Sequence, residues 1–508
     1  MSRTNVAMKR PGYTEITHEG GRAARTNPVE QLRRSVLNCM LWEDGFYEGG
    51  EEVAKRIEEL VAQVHPEVAA ALARMARTDY KLRHAPLWIA VAMCRASDEH
   101  RLLVADTLVN IIQRPDELAE FMALYWKNGK VPVAAQVKKG LARAFAKFDE
   151  YSLAKYNRDG AVKLRDVLFL SHAKPDTERP LGRATKAKAT KHRGETLRHT
   201  KGQAGLWKRL IDGELATPDT WEVAISAAKT KVEREQIWDR LIDEKKLFAL
   251  ALIRNIRNMV QDGVKPATIK AAIRDMRVER VLPFRFITAA QYNPHYEDVL
   301  EEAMFKCLAG MEKLSGTTAL VVDVSGSMWH STVSAKSELK YFDAAAGLAI
   351  LCRELCEDVK VFTFSDNVVA IPNRRGFALR DAMDKSQRHN GTYLAKALQE
   401  INFKHEFDRC IVITDEQSQD GIFTPRSKKN YLINVAANKN GVGYGEWMHL
   451  DGFSEAVFNW ICAVEKPQPE VKAKAWTPKP KKVFKVKQEA KRPVKTRKLV
   501  SRPRKAKR

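Results

Sequence analysis

Apolar positions recur with the period of an α-helix from residue 28 to about residue 315. Five of them fall at positions i, i+4, i+7, i+8 and i+11 and so share one helical face: Val53, Ile57, Leu60, Val61 and Val64. Pro66 follows where the first turn of a second helix tolerates proline. The stretch LFALALIRNIRNMVQDGV (247–264) has the same period and ends at Gly263, a typical C-cap. The pattern predicts a succession of helices.

Successive helices without intervening strands are typical of stacked helical pairs, as in a HEAT-type solenoid. Pro86, Pro115 and Pro132 recur as candidate helix openers, spaced by roughly one helix and a turn. No strict repeat period accompanies them. Residues 1–27 carry no periodic pattern, and we predict an N-terminal arm there.

The pattern changes at residue 316. Four short runs, TALVVDVS, VKVFTFSD, CIVITDE and YLINVAAN, are almost continuously apolar, as central parallel strands are. Helical stretches are predicted at Tyr341–Leu355, Tyr393–Ile401 and Phe453–Val464. This alternation predicts a doubly wound, Rossmann-like sheet over residues 316–465, with ligands at the carboxyl ends of its strands. The chain is therefore predicted to be a multidomain protein of the α plus α/β class.

The formal net charge of +24 is concentrated in two segments. Residues 466–508 hold 18 Lys and Arg against two Glu, residues 179–209 hold 10 against one Glu, and the remaining residues are together close to neutral. Both segments are poor in large apolar residues, so we predict a disordered basic tail and a mobile basic insert. A polyanion, most commonly nucleic acid, is the expected partner. A solvated tail that aids solubility is the alternative.

Apolar runs and cysteines indicate the compartment. No window approaches 18 uninterrupted apolar residues, and the N-terminus MSRTNVAMKRPGYTE has no apolar signal core, so we expect no membrane association. The seven cysteines form no CxxC pair, which favours reduced thiols over a disulfide framework or a zinc site. We therefore expect a cytoplasmic protein.

Oxygen-bearing side chains follow the predicted strands at three places. Asp323, Ser325 and Ser327 lie on the loop that leaves the first strand. Thr392 precedes a helix, and Asp415 ends the strand CIVITDE. Alternate residues of an extended loop point the same way, so the first three can share one cation. Two carboxylates and three hydroxyls suit Mg²⁺ or Mn²⁺ rather than zinc, and leave a coordination position for an outside acidic group. The alternative is that the serines only cap a helix.

These five residues resemble the metal-ion-dependent adhesion site of von Willebrand factor A domains, whose pattern is DxSxS, a later Thr and a later Asp. Upstream, YSLAKYNRDGAVKLRDVLFLSHAKP (151–175), LALIRNIRNM and LPFRFITAAQYN resemble the helical-repeat module of the Ro autoantigen, or TROVE, family. GYGEWMHLDGFSEAVFNWI resembles that family's closing helix. The likeness covers roughly residues 28–465. One departure is ITDEQS, where Glu416 stands in place of a more usual Asn, a change that affects the surroundings of Asp415.

The resemblance implies a helical-repeat toroid over residues 28–315, joined end to end by a von Willebrand A domain over 316–465. Members of the family bind small noncoding Y RNAs on the outer surface and pass single-stranded 3′ ends of misfolded RNAs through the hole. The candidate RNA-contacting residues are polar side chains in helical contexts, for which a solvated helix face is the alternative. They are Lys155, Arg158, Lys163, Arg165, His172, Lys174, Arg254 and Arg257.

The sequence therefore predicts a monomeric RNA-binding ring protein of ribonucleoprotein particles, acting in RNA quality control or stability with a divalent cation bound. The alternative is a metal-dependent protein-interaction module, in which a partner's acidic residue completes the coordination and RNA binding is secondary. We expect no enzymatic activity, because no general base is placed at the site and a two-metal nuclease would need more carboxylates.

Overall fold

The computed structural model describes residues 15–23, 27–37, 49–175, 203–279, 281–308, 312–333, 339–421, 426–436, 441–443, 446–454 and 456–465. The predicted tail (466–508) lies outside these residues, as do residues 1–14 of the predicted arm and residues 179–202 of the predicted insert.

Part of the N-terminal arm is ordered. Strands β1 (Glu15–Ile16) and β2 (Arg22–Ala23) pair antiparallel and form a short hairpin. The turn between them is closed by two backbone hydrogen bonds, from the N–H of Thr17 to the carbonyl of Gly21 and from the N–H of Gly20 to the carbonyl of Thr17. Gly20 has a φ of 87°, which suits glycine. Periodicity gave no indication of this hairpin, because its two strands are only two residues long each.

Sixteen α-helices follow in the described residues up to residue 305. They are α1 (Pro28–Leu37), α2 (Gly50–Gln63), α3 (Pro66–Thr78), α4 (His84–Arg95), α5 (Asp98–Ile111), α6 (Pro115–Tyr125), α7 (Ala135–Phe145), α8 (Glu150–Tyr156), α9 (Leu164–Ser171), α10 (Gln203–Asp212), α11 (Trp221–Ala227), α12 (Lys231–Asp243), α13 (Ala249–Asp262), α14 (Pro266–Asp275), α15 (Phe284–Tyr292) and α16 (Glu297–Phe305). The apolar stripe predicted around residue 57 is the buried face of α2, and Gly263 closes α13 as predicted.

The prolines mark helix starts with one exception. Pro66 and Pro115 occupy the first positions of α3 and α6, where no intrahelical donor is lost, and Pro86 lies in the first turn of α4. The prediction for Pro132 is wrong, because α7 begins only at Ala135. The carbonyl of Pro132 instead accepts a hydrogen bond of 3.3 Å from the hydroxyl of a tyrosine at the end of α6.

The predicted insert extends too far toward the C-terminus. Residues 203–209 belong to α10, where Leu206 and Trp207 are buried. Arg209 lies 2.6 Å from Glu150 of α8 in a two-pronged ion pair. Apolar side chains at helical spacing therefore anchor the last residues of a segment whose charge had suggested a mobile insert.

A six-stranded sheet occupies the rest of the described chain. Its strands are β3 (Leu314–Asp323), β4 (Cys356–Phe364), β5 (Val368–Ala370), β6 (Arg409–Thr414), β7 (Lys429–Asn434) and β8 (Met448–Asp451). Its helices are α17 (Gly326–His330), α18 (Tyr341–Leu355), α19 (Gly376–Asp384), α20 (Leu394–Lys404) and α21 (Ala456–Glu465). The order is β5-β4-β3-β6-β7-β8, and only β4 and β5 pair antiparallel. The predicted doubly wound sheet is confirmed.

The sheet domain contacts both the beginning and the end of the helical series. At the end, the ring of Phe284 in α15 packs edge-on against Phe453, with centroids 5.3 Å apart. The backbone N–H of Phe377 donates to Glu301 of α16 across 2.7 Å. At the beginning, Gly452 lies against Tyr80, next to α3, where a side chain would collide with the ring. The connection that the predicted toroid requires is therefore present at both ends.

A buried cluster of charges fastens α1 to the sheet. Arg34 forms an ion pair with Glu416, and His449 contacts Glu416 through Nε2 and Asp451 through Nδ1 at 3.4 Å. All four side chains are almost completely buried. Burial alone would raise the pKa of Asp451, but the charges of His449 and Arg34 lower it to about 2. Burial alone would lower the pKa of His449, but the two carboxylates raise it to about 9.

Removing a charged side chain from this cluster is expected to destabilise the fold. Arg34→Ala removes one of the two cations that neutralise the buried carboxylates Glu416 and Asp451, so we expect the free energy of unfolding to fall by about 3–5 kcal/mol. Arg101→Ala, which removes an exposed pair with Asp98, is the matched control and is expected to change it by about 1 kcal/mol or less. Urea unfolding followed by circular dichroism measures both. Equal losses in the two variants would contradict the assignment.

The same cluster makes stability depend on pH in two directions. The pKa of Asp451 is lowered from an unfolded value of about 3.9, so its stabilisation is present above about pH 4 and lost as the pH falls toward 2. The pKa of His449 is raised from about 6.5, so its stabilisation is present below about pH 6.5 and lost as the pH rises through 9. His449→Gln is expected to flatten the decline in unfolding free energy between about pH 7 and 9. An unchanged decline would show that other groups cause it.

Candidate metal centre and nucleic-acid interface

Two carboxylates meet at one edge of the sheet. Asp323 ends β3 and Asp415 directly follows β6, and these strands pair in parallel with Val322 opposite Ile413. Both aspartates are buried, at 0% and 1% exposure. Burial and the negative charge of Asp415 raise the pKa of Asp323 to about 7. The two side chains are therefore close enough for their charges to repel.

Hydroxyl groups surround this carboxylate pair. The backbone N–H of Ser325 donates to Asp323 across 2.9 Å, and the hydroxyl of Thr414 donates to its other carboxylate oxygen across 2.6 Å. The hydroxyls of Ser325 and Ser327 lie 3.2 Å apart. Ser325 is the N-cap residue of α17, yet its side chain makes no capping hydrogen bond within the described chain. The capping alternative therefore does not account for this hydroxyl.

The loop that carries Thr392 lies between the other two loops. The N–H of Gly326 donates to the carbonyl of Asn390 across 2.9 Å, and a side chain in place of this glycine would press on that carbonyl. On the other side, the carbonyl of Thr392 accepts hydrogen bonds from the N–H of Gln419 and the hydroxyl of Ser418, at 2.8 and 3.1 Å. Thr392 is 2% exposed. The five predicted positions thus lie on three adjoining buried loops.

The donor set is made of oxygen atoms alone. Nowhere in the described ranges do three or more His, Cys, Asp or Glu side chains gather so as to hold a metal ion, so a cation here depends on the hydroxyls as well as the two acids. This chemistry fits Mg²⁺ or Mn²⁺ and does not fit zinc. The acid that follows Asp415 is engaged elsewhere. Glu416 has a φ of 63°, rare for a side-chain-bearing residue, and its carboxylate pairs with Arg34 and His449.

A second feature lies among the helices. A cleft of about 390 Å³ opens between the α6–α7 connection and the end of α9, lined by Trp126, Val131, Pro132, Val133, Lys138, Phe169, Leu170 and His172. Phe169 is 60% exposed. The amine of Lys130 lies 5.7 Å from the centre of the Trp126 ring, and the amine of Lys138 lies 3.3 Å from Nε2 of His172. One exposed ring, Phe169, and one half-buried ring, Trp126, thus share this cleft with two amines, the groups that a stacked base and its phosphate require.

His172 serves the helix as well as the cleft. It is the C-cap of α9 with a φ of 51°, and its backbone N–H donates to carbonyls of the last turn. The backbone of His172 therefore caps the helix, while its side chain lines the cleft. Trp126 and Lys138 were missed in the sequence. The run FMALYWKNGK (121–130), which mixes aromatic residues and lysines before a proline, was the available signal.

The other predicted residues of the 151–174 stretch divide into two groups. Lys163 pairs with Asp159 at 2.7 Å, Arg165 lies near Asp166, and Lys155 lies over the ring of its neighbour Tyr156. Arg158 and Lys174 are exposed, and no carboxylate of the described chain lies within ion-pair distance of either. These last two are the most accessible charges of the set for an anion, whereas Lys163 and Arg165 lie beside carboxylates.

Arg254 and Arg257 lie on the exposed side of α13. Neither forms an ion pair with a described residue. Burial and the charge of Arg254 lower the pKa of Arg285, which lies on α15 with its guanidinium 5.0 Å from the ring of Phe284. Two guanidinium groups therefore lie near each other without a neutralising acid, an arrangement that favours a bound anion. Arg285 was missed because a single arginine in LPFRF has no distinguishing local pattern.

Comparisons with known proteins agree with this architecture. Residues 202–305 match the family model for the TROVE domain. Telomerase protein component 1 of Rattus norvegicus is 24% identical over 295 residues, 45% of this chain, and that of Mus musculus is 30% identical over 94 residues, 17% of this chain. The chain spans only 11% and 4% of the lengths of these two relatives.

A solved structure is similar over most of the chain. The crystal structure of the Deinococcus radiodurans RO (RSR) protein superposes with a TM-score of 0.55 at 19% identity, covering 86% of this chain and 99% of that one. The resemblance to the TROVE family and the predicted fold class are thus confirmed, by the domain match from residue 202 to 305 and by the shared fold. No helix in the described ranges is both long and apolar enough to cross a membrane.

The metal centre makes a measurable prediction. Asp323→Ala is expected to abolish Mn²⁺ binding in isothermal titration calorimetry, whereas Asp98→Ala, at an exposed acid far from the sheet, is expected to leave it unchanged. Because the pKa of Asp323 is raised to about 7, a proton competes with the cation, and affinity is expected to fall by up to about tenfold per pH unit below pH 7. Affinity that is independent of pH, or equal in the two variants, would rule out this assignment.

Proposed function

We propose that this protein is an RNA-binding component of ribonucleoprotein particles. In this proposal it binds small noncoding RNA of the Y type on its helical surface and the single-stranded 3′ ends of misfolded or damaged RNA, in RNA quality control or stability. The domain match, the fold and the basic composition support RNA as the partner. The single observation that carries the proposal is the cleft between α6 and α9, where the exposed ring of Phe169 shares one lining with Trp126 and with nearby lysine amines.

The cleft suits an unpaired nucleotide. Stacking of a base on an aromatic side chain contributes about 1–3 kcal/mol, and every base has a face that can stack. Phe169 is exposed at this cleft and therefore needs little rearrangement to receive a base. Lys130 and Lys138 supply positive charge for the adjoining phosphates. Recognition of this kind selects unpaired RNA without reading its sequence.

The arginines of α13 and α15 provide a second anionic contact in the proposal. Arg254, Arg257 and Arg285 leave guanidinium charge unneutralised, and guanidinium groups bind phosphate oxygens with two parallel hydrogen bonds. Two separate contacts, one aromatic and one purely cationic, allow the protein to hold a structured RNA and a single-stranded end at the same time.

We also propose that Asp323, Ser325, Ser327, Thr392 and Asp415 hold Mg²⁺ or Mn²⁺. The metal would supply a Lewis-acidic position that accepts a carboxylate from outside the chain. The buried acid pair and the serine hydroxyl that caps no helix support this second function, a metal-dependent protein-interaction module. Asp323→Ala separates the two functions, because RNA binding is expected to survive it and capture of an acidic partner is not.

We propose no catalysis. His389 is the histidine closest in sequence to Thr392, and both of its ring nitrogens are engaged, Nδ1 at 2.7 Å from the carbonyl of Val324 and Nε2 at 3.4 Å from Asp384. The ring also stacks on Trp329 at 4.5 Å. These contacts favour a packing role for His389 over that of a general base.

The cleft is tested by a pair of phenylalanine variants. Phe169→Ala is expected to weaken binding of a hairpin RNA with a single-stranded 3′ end by roughly 5- to 100-fold, the value of one stacked base. Phe403→Ala removes an equally bulky and more exposed ring from α20 and is expected to leave binding unchanged. Fluorescence anisotropy at constant salt measures both. Equal effects would remove the cleft from the binding surface.

The contribution of the predicted tail to RNA binding can be measured separately, through the salt dependence of the affinity. Deleting residues 466–508 is expected to weaken RNA binding and to flatten the dependence of log K on log salt by about 0.7 per lost phosphate contact on a single strand. Preference for structured RNA with a free 3′ end is expected to remain. A variant with the tail residues in scrambled order is the control and should match the full chain. Affinity and slope that survive the deletion would exclude the tail from RNA binding.

A further inference from the structure

The N-terminal hairpin (15–23) packs directly on the loop that follows Asp415. The hydroxyl of Thr17 donates to the carbonyl of Ser418 across 2.9 Å, and the backbone N–H of His18 donates to Oε1 of Gln417 across 2.9 Å. At the turn, Glu19 accepts a hydrogen bond of 3.0 Å from Gln419. Nearly 400 positions separate the partners in sequence, so the hairpin is attached by tertiary contacts alone.

The hairpin packs so closely on this loop that no side chain can be accommodated at Gly21. A Cβ on Gly21 would lie 2.0 Å from the carbonyl oxygen of Ser418, which is far inside contact distance. The adjacent Gly20 points into open space, where a Cβ would meet nothing within 4 Å. Thr17 is 5% exposed, and its hydroxyl oxygen also accepts the N–H of Gly21. The hairpin therefore rests on the loop through a close, buried contact.

The same loop also forms hydrogen bonds with two of the proposed metal-binding residues, Asp415 and Thr392. The N–H of Gln417 donates to Oδ1 of Asp415 at 3.2 Å, and its side-chain amide donates to the carbonyl of Asp415 at 3.4 Å. The hydroxyl of Ser418 donates to the carbonyl of Thr392. Residues 417–419 thus connect the hairpin to both Asp415 and Thr392 through single residues.

We propose that the hairpin is a positioning element of the metal centre, holding residues 417–419 in the conformation that presents Asp415 and Thr392 to the cation. The inference rests on the metal binding proposed above. It has a thermodynamic consequence, because two events coupled through one loop must favour each other equally. Docking of the hairpin strengthens metal binding, and metal binding protects the hairpin from opening.

Three variants of the full chain separate the hairpin contact from general effects. Thr17→Val removes the buried hydroxyl while keeping the shape of the side chain. Gly21→Ala forces the hairpin away from Ser418. Gly20→Asn is the matched control, because Asn tolerates positive φ and its side chain enters open space. Thermal unfolding confirms that each variant is folded.

Two readouts test the coupling. Calorimetric titration with Mn²⁺ is expected to give a Kd roughly three- to tenfold larger for Thr17→Val and Gly21→Ala, because both weaken the contact of the hairpin with Ser418, and an unchanged Kd for Gly20→Asn. Hydrogen exchange of the His18 and Gly21 amides is expected to slow by the same factor when Mn²⁺ saturates the wild-type protein.

The outcomes distinguish this inference from the proposal on which it rests. If the wild-type chain binds Mn²⁺ no better than Asp323→Ala, the metal centre is refuted and the inference with it. If the wild-type chain binds Mn²⁺ and both hairpin variants keep its Kd, the inference alone is overturned. Weakening of all three variants to the same extent, Gly20→Asn included, also overturns it, because turn strain would then be the cause.

Discussion

Two buried carboxylates, Asp323 and Asp415, lie at the ends of the adjacent parallel strands β3 and β6. Their electrostatic repulsion is the constraint on which the proposed metal centre depends. Like charges in a buried site are unfavourable unless a proton or a cation neutralises one of them. Burial and the nearby charge of Asp415 accordingly raise the pKa of Asp323. The hydroxyl groups of Ser325, Ser327 and Thr414 lie in the immediate surroundings. A hard divalent cation relieves the repulsion with the donors available, and this is the physical basis of the proposed metal centre.

The residues that follow β6 link this constraint to the rest of the chain. Asp415 interacts with Asp323, and the next residue, Glu416, forms the buried ion pair with Arg34 that fastens α1. Gln417 then contacts both Asp415 and the N-terminal hairpin (15–23). One short loop therefore contacts the proposed metal centre, helix α1 and the N-terminal hairpin (15–23). Together with the contacts of α15 and α16 on the sheet domain, it shows how the two ends of the helical series are fixed to one scaffold.

Features encoded within a few consecutive residues could be predicted from the sequence, and features formed by distant residues could not. Helix α18 has the predicted bounds, 341–355, because its apolar period and flanking residues are local signals. The positions of Asp323 and Asp415 follow from strand ends in the same way. The ion pair of Arg34 and Glu416 joins positions 382 residues apart and leaves no local trace. The edge strands β5 and β8 were not predicted, because they are only three and four residues long.

The helical half offers aromatic and cationic surfaces, whereas the sheet half offers oxygen donors, so the proposed RNA and the proposed metal ion would bind to different parts of the chain. The central claim is that the five oxygen-bearing residues share one cation. Anomalous X-ray diffraction from crystals of the full chain grown with Mn²⁺ tests it most directly. We expect one strong anomalous peak bounded by Asp323, Ser325, Ser327, Thr392 and Asp415. A featureless map at that position under saturating Mn²⁺ would show that these residues do not share a cation.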